Sequence, residues 1–596
     1  MNILLPIWIS FIAGIFFLIL PERIRGFTKV VSPLIGILSL VLSIILFFNW
    51  KIPSYISEYV LSDMLSKFIY LSIGFFGFII SLYSSGHITK NINRFFAYFF
   101  LTLGSAFAIA IADNLIILLS FWGFLGITLY LLIQHGKEGA NEAAKKTLII
   151  IGASDCFLIM GIGILWWLNS TFSITELSFS IGTNSPLLVF SFICFTIAAF
   201  AKAGNMPLHT WVPPCAATAP IPVTAFIPAA LDKLLGIYLF ARCVISIYIV
   251  SPGLSTAMMI FGAATIIFAV FMALVQHSGR KLLAYHAISQ VGYMVLGIGT
   301  LNPIGIIGGI FHMLNNAIYK SCLFLGLGAV EKKTGTDNLD SLGGLTYKMP
   351  FTLFAMLIAS LAISGIPPLN GFFSKWFIYQ GVIETFKFRN PFIPAICLIA
   401  ALFGSALTLA SFTKLIHSIF LARRQSQEAH PVSPKISKFL IILPQLILAL
   451  SCIIFGIFAY PLIINPVFKN ILPVDAEGIW KPELATLLII VGIALGLLIY
   501  VISRIKVRTT PAFIGGEKCT SDMRVSGADF YLTIEDIPLF GKFYKWAGEK
   551  FFDIYEIIKV WIFSVSKVLK FVHCGSLPFY LLWLLGGGTI IILLLW

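Results

Sequence analysis

The chain has 596 residues, of which 59% are hydrophobic and 11% are charged. A soluble protein carries about 25% charged residues, so the composition excludes an ordinary soluble domain and indicates a surface that faces lipid. The formal net charge of +15 does not indicate a nucleic-acid partner, because the basic residues are spread over many loops instead of forming one patch.

Apolar runs of about 18 to 25 residues recur along nearly the whole chain, each long enough to cross roughly 30 Å of hydrocarbon as a helix. About sixteen such runs predict an all-α polytopic membrane protein. The first run, at residues 4–20, lacks a basic stretch and a small-residue cleavage site, which favours a retained helix over a signal peptide.

Two of the predicted helices, the seventh and the twelfth, are interrupted by glycine and proline. Proline removes a backbone donor and glycine relaxes the helix, so both helices should unwind near the middle of the membrane. Two broken helices that lie five helices apart are typical of an inverted repeat in transporters. The residues at the breaks are Gly204, Pro207, Gly365, Pro367 and Pro368.

The repeat and its flanks predict six regions along the chain. They are helices 1–3 at residues 1–91, a first five-helix half at 92–248, a second half at 254–421, helices 14–15 at 437–504, a cytoplasmic loop with an amphipathic lateral helix at 505–576, and a final helix at 577–596. The lateral helix is predicted because aromatic residues such as Phe543 and Trp546 mix with Lys542 and Lys545, a pattern that suits a membrane interface.

The basic residues are concentrated in alternate loops, which predicts the topology. Arg280 and Lys281 follow the ninth predicted helix, for example, whereas the next loop, at 301–303, is bare. The positive-inside rule then places the basic loops in the cytoplasm and both termini outside, in a multi-pass protein of the inner membrane.

The nine cysteines are scattered singly, with no C-x-x-C pair and no cluster of Cys and His at ligand spacing. The spacing therefore predicts no haem, iron–sulfur or zinc site in this chain. Any redox chemistry that drives the protein would have to come from partner subunits.

Ionisable side chains in a bilayer interior are costly, so each is a candidate for function. The candidates for ion translocation are Lys202, Asp155, Asp232, Lys233, His312, Lys320 and Lys375. A lysine among apolar helices can lose and regain a proton near neutral pH, so a series of lysines linked by histidine, hydroxyl groups and water could relay protons.

Structural roles stay open for several ionisable residues. Asp155, Lys414 and His417 are equally compatible with capping or pairing, and Lys233 is compatible with snorkelling. The functional interpretation is favoured most for Lys202, Lys320 and Lys375, because they lie deep and two of them flank the broken helices.

Four stretches resemble the antiporter-like subunit family shared by respiratory complex I, Mrp-type cation/proton antiporters and membrane-bound hydrogenases. They are residues 206–211 (Met-Pro-Leu-His-Thr-Trp), 283–294 (Leu-Ala-Tyr-His-Ala-Ile-Ser-Gln-Val-Gly-Tyr-Met), 311–324 and 371–375. The resemblance implies two inverted five-helix repeats, each with a half-channel. It places the transport lysines of the family on Lys202, Lys320 and Lys375, and its acidic position in helix 6 on Asp155.

The chain departs from the family at three positions. Gly123 stands where complex I and Mrp members have a helix-5 glutamate, Pro228 where they have a helix-8 histidine, and Asn316 where they have a second histidine in helix 11. Without a carboxylate at Gly123, Asp232 is a candidate counter-charge for Lys202. The departure leaves open whether the first half-channel conducts.

These variants, with Asp232-Lys233 and the Gly515-Gly516-Glu517 tail, are most similar to the large subunit of energy-converting (Ech-type) hydrogenases. This resemblance implies a proton- or sodium-translocating subunit coupled to ferredoxin-dependent hydrogen evolution. The implied partners are a [NiFe]-hydrogenase module, iron–sulfur subunits and a quinone-site-like membrane subunit, which would carry the NiFe and iron–sulfur cofactors. The alternatives are an Mrp-type antiporter subunit, a complex I or formate-hydrogenlyase homologue, and a non-conducting scaffold.

Overall fold

The computed structural model describes residues 2–181, 185–422, 435–472, 482–503, 515, 527–573 and 575–595. These residues form two compact units, Met1–Thr533 and Ile534–Trp596, which are described separately. The first unit is almost wholly helical. A single pair of two-residue parallel strands among the described residues joins β1 (Phe179–Ser180) to β2 (Tyr248–Ile249), with Phe179 opposite Tyr248.

The helices of the first unit follow one another through short loops. They are α1 (Leu5–Ile19), α2 (Arg25–Phe48), α3 (Met64–His87), α4 (Ile92–Ile111), α5 (Leu115–Ile133), α6 (Ala140–Asn169), α7 (Pro186–Ala203), α8 (Val212–Thr218), α9 (Ile221–Phe226), α10 (Asp232–Arg242), α11 (Pro252–Leu274), α12 (Gly279–Gly299), α13 (Pro303–Thr334), α14 (Pro350–Ser364), α15 (Asn370–Glu384), α16 (Phe392–Ile416), α17 (Lys435–Ile457), α18 (Lys469–Ile471) and α19 (Pro482–Ser503).

Twelve helices in the described part of the chain are long and apolar enough to cross a membrane, and two shorter apolar helices, α1 and α14, accompany them. The all-α polytopic class is therefore confirmed, whereas the number sixteen stays a prediction. The 32-residue helix α13 is not among the twelve, because polar residues in its middle, Asn315, Asn316 and Lys320 among them, lower its hydropathy.

Both predicted breaks are present. Helix α7 ends at Ala203, and Gly204 has the left-handed backbone angle φ +76°, which a residue without a Cβ adopts readily. Helix α14 ends at Ser364, and Gly365 has φ +81°. The chain becomes helical again at α8 and α15, so each break leaves non-helical backbone inside the first unit.

Close packing of α10 against α7 depends on a missing side chain. A Cβ added to Gly236 would lie 2.7 Å from the Ala203 nitrogen and 2.8 Å from the Ala199 oxygen. Small residues let helices approach closely in a membrane. Helix α10 continues a wide π-helical turn at Ile227–Leu231, and this turn together with Gly236 brings Asp232 and Lys233 next to the break after α7.

Helices α11 and α12 pack in the same way in the second half. A Cβ added to Gly292 would lie 2.6 Å from the Gly262 oxygen. A buried apolar cluster that includes Ile266, Tyr293, Ile378 and Ala401 extends this contact to α15 and α16. The cluster supports the second break and the helices around it.

The second unit contains α20 (Pro538–Gly548), α21 (Ile554–Val572) and α22 (Leu577–Leu595). The predicted lateral helix is thus two helices, because the chain turns between them at Lys550, which has φ +61°. Residues 504–514 and 516–526, including the predicted Gly516 and Glu517 of the tail, lie outside the described residues.

Candidate functional site

Lys202 occupies the last turn of α7, immediately before the first break, and is 1% exposed. Its Nζ donates a hydrogen bond to the Trp122 carbonyl oxygen at 3.1 Å and lies 4.6 Å from the centre of the Trp122 ring. The Trp122 indole Nε1 in turn donates to Asp155 Oδ1 at 3.0 Å. Trp122 therefore links the lysine to the acidic residue of α6.

Asp232 and Lys233 open α10 beside this group and are both buried. Asp232 interacts electrostatically with Lys202 and Lys233, and its Oδ2 has no hydrogen-bond partner among the described residues. Lys233 Nζ donates to the Ala203 carbonyl oxygen at the end of α7. The break thus gathers two lysines and a carboxylate in one buried place.

Gly123, the position where the resembling family has a glutamate, lies directly after Trp122 on α5. A Cβ added to Gly123 would meet no heavy atom within 4 Å. A side chain at this position therefore meets no obstacle at its Cβ, and the carboxylates that interact electrostatically with Lys202 are those of Asp155 and Asp232.

Lys320 lies in the middle of α13 with no exposed surface. Its Nζ donates to the Leu283 carbonyl oxygen at 2.9 Å and lies 5.4 Å from the centre of the Phe412 ring. Lys320 also interacts electrostatically with Lys233.

Lys375 lies on α15, just after the second break. Its Nζ donates to the Ile363 carbonyl oxygen at 2.9 Å and to Ser405 Oγ at 2.7 Å. The Tyr293 ring lies beneath it, with the ring centre 4.6 Å away. Lys375 is thus bound by a carbonyl group in the last turn of α14, as Lys233 is bound by the Ala203 carbonyl group at the end of α7.

His312 is hydrogen-bonded to polar side chains near Lys375. Its Nδ1 lies 2.8 Å from Ser374 Oγ, and its Nε2 lies 3.1 Å from Gln290 Oε1. Tyr319 donates to the same Gln290 oxygen at 3.3 Å. The contacts thus connect His312 to Ser374, the residue before Lys375.

Two further buried ionisable residues join the second half. Lys414 on α16 donates to the Leu274 carbonyl oxygen at 2.7 Å and has no exposed surface. His286 on α12 lies 2.7 Å from Ser411 Oγ through Nε2, and it interacts electrostatically with Lys320, Lys375 and Lys414. His286 is not among the candidates from the sequence, although it lies within the stretch at 283–294 that carries the resemblance.

The buried lysines share one mode of binding. Each ammonium group donates to a backbone carbonyl oxygen, and in the part of the chain that the structure describes none has a carboxylate within ion-pairing distance. The lysines are Lys202, Lys233, Lys320, Lys375 and Lys414. A carbonyl oxygen accepts a hydrogen bond from a neutral amine as well as from an ammonium group, so the arrangement is compatible with both protonation states.

The transmembrane family described as NADH:quinone oxidoreductase/Mrp antiporter matches residues 112–408, which contain four of these five lysines. This part of the chain belongs to the antiporter-like family. All four stretches on which the resemblance rests lie within it.

Curated relatives of the antiporter-like chain come from staphylococci. The Na⁺/H⁺ antiporter subunit A1 of Staphylococcus haemolyticus is 31% identical over 419 residues, which are 66% of this chain and 52% of the relative. The subunit of the same name from Staphylococcus saprophyticus is 32% identical over 402 residues, 64% of this chain and 50% of the relative. The chain spans about half the length of these relatives.

Solved structures share the fold. A chain of the membrane-bound sulfane sulfur reductase, an archaeal respiratory membrane complex, is similar with a TM-score of 0.76 and 20% identity, over 99% of both chains. A chain of the Mrp complex from Dietzia sp. gives 0.70 and 17% identity over 82% of this chain and 98% of that one. A chain of respiratory complex I from Thermus thermophilus gives 0.65 and 20% identity over 79% and 98%.

Proposed function

We propose that this antiporter-like chain translocates ions as one subunit of a larger membrane complex. Protons are carried by the five buried lysines. The observation that carries the proposal is the way these lysines are held: they are buried, bind backbone carbonyl groups, and have no carboxylate at ion-pairing distance among the described residues. A lysine in such surroundings can titrate, and an ammonium group that never released its proton would serve structure better with a carboxylate beside it.

Asp232 is the proposed switch of the first half. Its carboxylate is buried, one of its oxygens has no hydrogen-bond partner among the described residues, and it acts on Lys202 and Lys233 together. A carboxylate that approaches one of two lysines favours the charged form of that lysine. A small movement of α10 relative to α7 would therefore change which of the two lysines is favoured in its charged form.

The driving force has two candidates. The staphylococcal relatives are named as Na⁺/H⁺ antiporter subunits, which favours cation/proton exchange of the Mrp type as the first candidate. The second candidate is a pump driven by a redox reaction in partner subunits, favoured by the likeness to the sulfane sulfur reductase chain over 99% of both chains. The Ech-type hydrogenase interpretation is one form of this second candidate.

The topology and partners belong to the same proposal. The basic loops, with Arg280 and Lys281 as an example, face the cytoplasm under the positive-inside rule, and the termini lie outside in an inner membrane. Further membrane and peripheral subunits would supply the driving reaction, including any NiFe or iron–sulfur cofactor.

Proton and sodium uptake into inverted membrane vesicles that contain the assembled complex tests the proposal. The variant is Lys320→Ala, and the matched control is Lys333→Ala at the loop end of the same helix, where Nζ donates to the Lys348 carbonyl oxygen. We expect Lys320→Ala to lose uptake while the complex stays assembled and the control transports normally. Normal uptake by Lys320→Ala would contradict ion translocation through this chain.

The same vesicles separate the two driving forces. Sodium uptake in response to an imposed pH difference, without an electron donor, would favour the exchanger. Uptake that requires an electron donor would favour the redox-driven pump. A nickel-containing subunit that purifies with the chain would then identify that pump as a hydrogenase.

A further inference from the structure

His286 is a buried titratable residue of α12 to which the proposed function of the five lysines assigns no part. It has no exposed surface, and its Nδ1 has no hydrogen-bond partner among the described residues. Its other ring nitrogen, Nε2, contacts Ser411 Oγ at 2.7 Å. A buried imidazole with one free nitrogen and one bound nitrogen can take up a proton on one side and release one on the other.

His286 lies close to Lys320. The Lys320 ammonium group binds the carbonyl oxygen of Leu283, which lies three residues before His286 on α12, and the two side chains interact electrostatically. The Phe412 ring contacts both groups: its centre lies 4.7 Å from the centre of the imidazole ring and 5.4 Å from Lys320 Nζ. Lys320 Nζ and the His286 ring therefore lie beside the same aromatic ring.

The other side of His286 leads to Lys414. Ser411 and Lys414 are three residues apart on α16 and lie on one helix face. Lys414 lies two residues before the end of α16, and the carbonyl oxygen that it binds belongs to Leu274, the last residue of α11. His286 itself lies seven residues into α12, about 10 Å from its start. These groups thus approach one face of the membrane.

That face carries a polar, exposed group of side chains. His277 Nδ1 lies 2.8 Å from Asp340 Oδ2, and their side chains are 45% and 37% exposed. Asp529 lies beside them, and one side-chain nitrogen or oxygen atom of each of the three residues lies within 4.8 Å of the other two. Asp340 and Asp529 both interact electrostatically with Lys414. The buried lysine at the end of α16 is therefore within reach of charged groups that contact water.

From these contacts we propose that Lys320, His286, Ser411 and Lys414 form a proton path from the middle of the second half to the membrane face that carries His277 and Asp340. A proton that leaves the Lys320 ammonium group binds His286 Nδ1. The imidazole releases its Nε2 proton to Ser411 Oγ, and the hydroxyl group passes its own proton on towards Lys414. Each group accepts one proton and gives one, and movement in the opposite direction follows the same steps. The path rests on the proposed function, because it adds His286 and Ser411 to the five lysines proposed to carry protons.

Removal of the hydroxyl group tests the middle step of the path. Ser411→Ala takes away the group that contacts His286 Nε2, whereas Ser411→Thr keeps a hydroxyl group and is the matched control. We expect Ser411→Ala to lower proton uptake by the assembled complex at least about tenfold and Ser411→Thr to transport near the level of the wild type. Wild-type uptake by Ser411→Ala would overturn the path.

Ion uptake by charge-conserving variants gives the second test. Lys414→Arg keeps the positive charge but holds its proton, and His286→Gln keeps a hydrogen-bonding group that cannot titrate. We expect each to lower proton uptake at least about tenfold, the range in which a positioned proton carrier contributes. If Lys320→Ala abolishes uptake while His286→Gln stays within twofold of the wild type, the path is wrong and the proposed function stands. If Lys320→Ala transports normally, the proposed function itself fails.

Discussion

The buried lysines and the buried arginines of this chain hold their charges in different ways. Arg280, 5% exposed, donates to Glu331 at 2.6 Å and to the Ala219 carbonyl oxygen at 2.7 Å. Arg242, 2% exposed, binds Asp63 at the start of α3, with one nitrogen–oxygen distance of 2.6 Å. The five lysines have carbonyl partners and no carboxylate at such distances among the described residues.

The partner of each cation determines whether it can release its proton. A guanidinium group beside a carboxylate is charged at all times, and the pair joins helices that are distant in sequence. A lysine on a carbonyl oxygen keeps its hydrogen bond whether or not it carries the extra proton. Arg242 ends α10 and Arg280 lies at the start of α12, so each of these ion pairs ties a helix end to another segment of the chain.

Removal of one inner lysine should have the largest effect. Lys375→Ala removes a group that the second break holds through Ile363, so proton uptake should fall about a hundredfold, as expected for the loss of a positioned proton carrier. The matched control is Lys387→Ala, just beyond the same helix, where the exposed lysine pairs with Glu384 at 2.6 Å. Equal uptake by the two variants would contradict the proposal that buried lysines carry protons and exposed lysines do not.

Removal of a rim arginine should instead lower stability. Arg280→Ala leaves Glu331 without its nearest partner and several carbonyl groups without a donor, which should cost about 3 kcal/mol. We expect a lower midpoint of thermal aggregation in detergent, with uptake per assembled complex unchanged. An assembled Arg280→Ala complex that fails to transport would place this arginine in the ion path.

The counter-charge at the first break can be moved from one helix to another. Asp232→Asn should lower uptake about tenfold, because Lys202 and Lys233 lose the carboxylate that acts on both. Gly123→Glu in the same chain should restore most of the loss, since an added Cβ meets no atom there and the family that the chain resembles has a glutamate at this position. Normal uptake by Asp232→Asn would remove this residue from the mechanism, and a failed rescue would show that a carboxylate on α5 cannot replace it.

The smallest effects should come from a pair of glycines. Gly236→Ala forces α10 away from α7, because the added carbon meets backbone atoms of Ala199 and Ala203, and we expect a loss of about 1 kcal/mol in stability. Gly123→Ala meets no atom and should be neutral or gain up to about 1 kcal/mol from helix propensity. Thermal unfolding of the two purified complexes checks the contrast, which would be lost if both behaved alike.

Local chemistry in the sequence predicts the broken helices and most of the inner lysines. Gly204 and Gly365 are where the helices end, because glycine adopts a left-handed backbone angle readily. Lys202, Lys320 and Lys375 stand out because a charge inside an apolar run has few structural uses. The functional role of these residues stays a prediction until transport is measured.

Contacts between distant segments could not be predicted in the same way. His286 is one of several polar residues in α12, and its partner Ser411 is 125 residues away. The pairing of His312 with Ser374 joins α13 to α15, which helix periodicity within α13 cannot predict. The spacing of aromatic and basic residues after residue 537 indicates one amphipathic helix, but it does not reveal the turn at Lys550.

The most direct measurement is proton uptake by Lys320→Arg in inverted vesicles that contain the assembled complex. The arginine keeps a positive charge and a donor for the Leu283 carbonyl oxygen, but it does not release its proton at physiological pH. If the inner lysines work by losing and regaining protons, uptake falls about as far as in Lys320→Ala. Uptake at the level of the wild type would mean that only the charge is needed and that protons do not pass through this lysine.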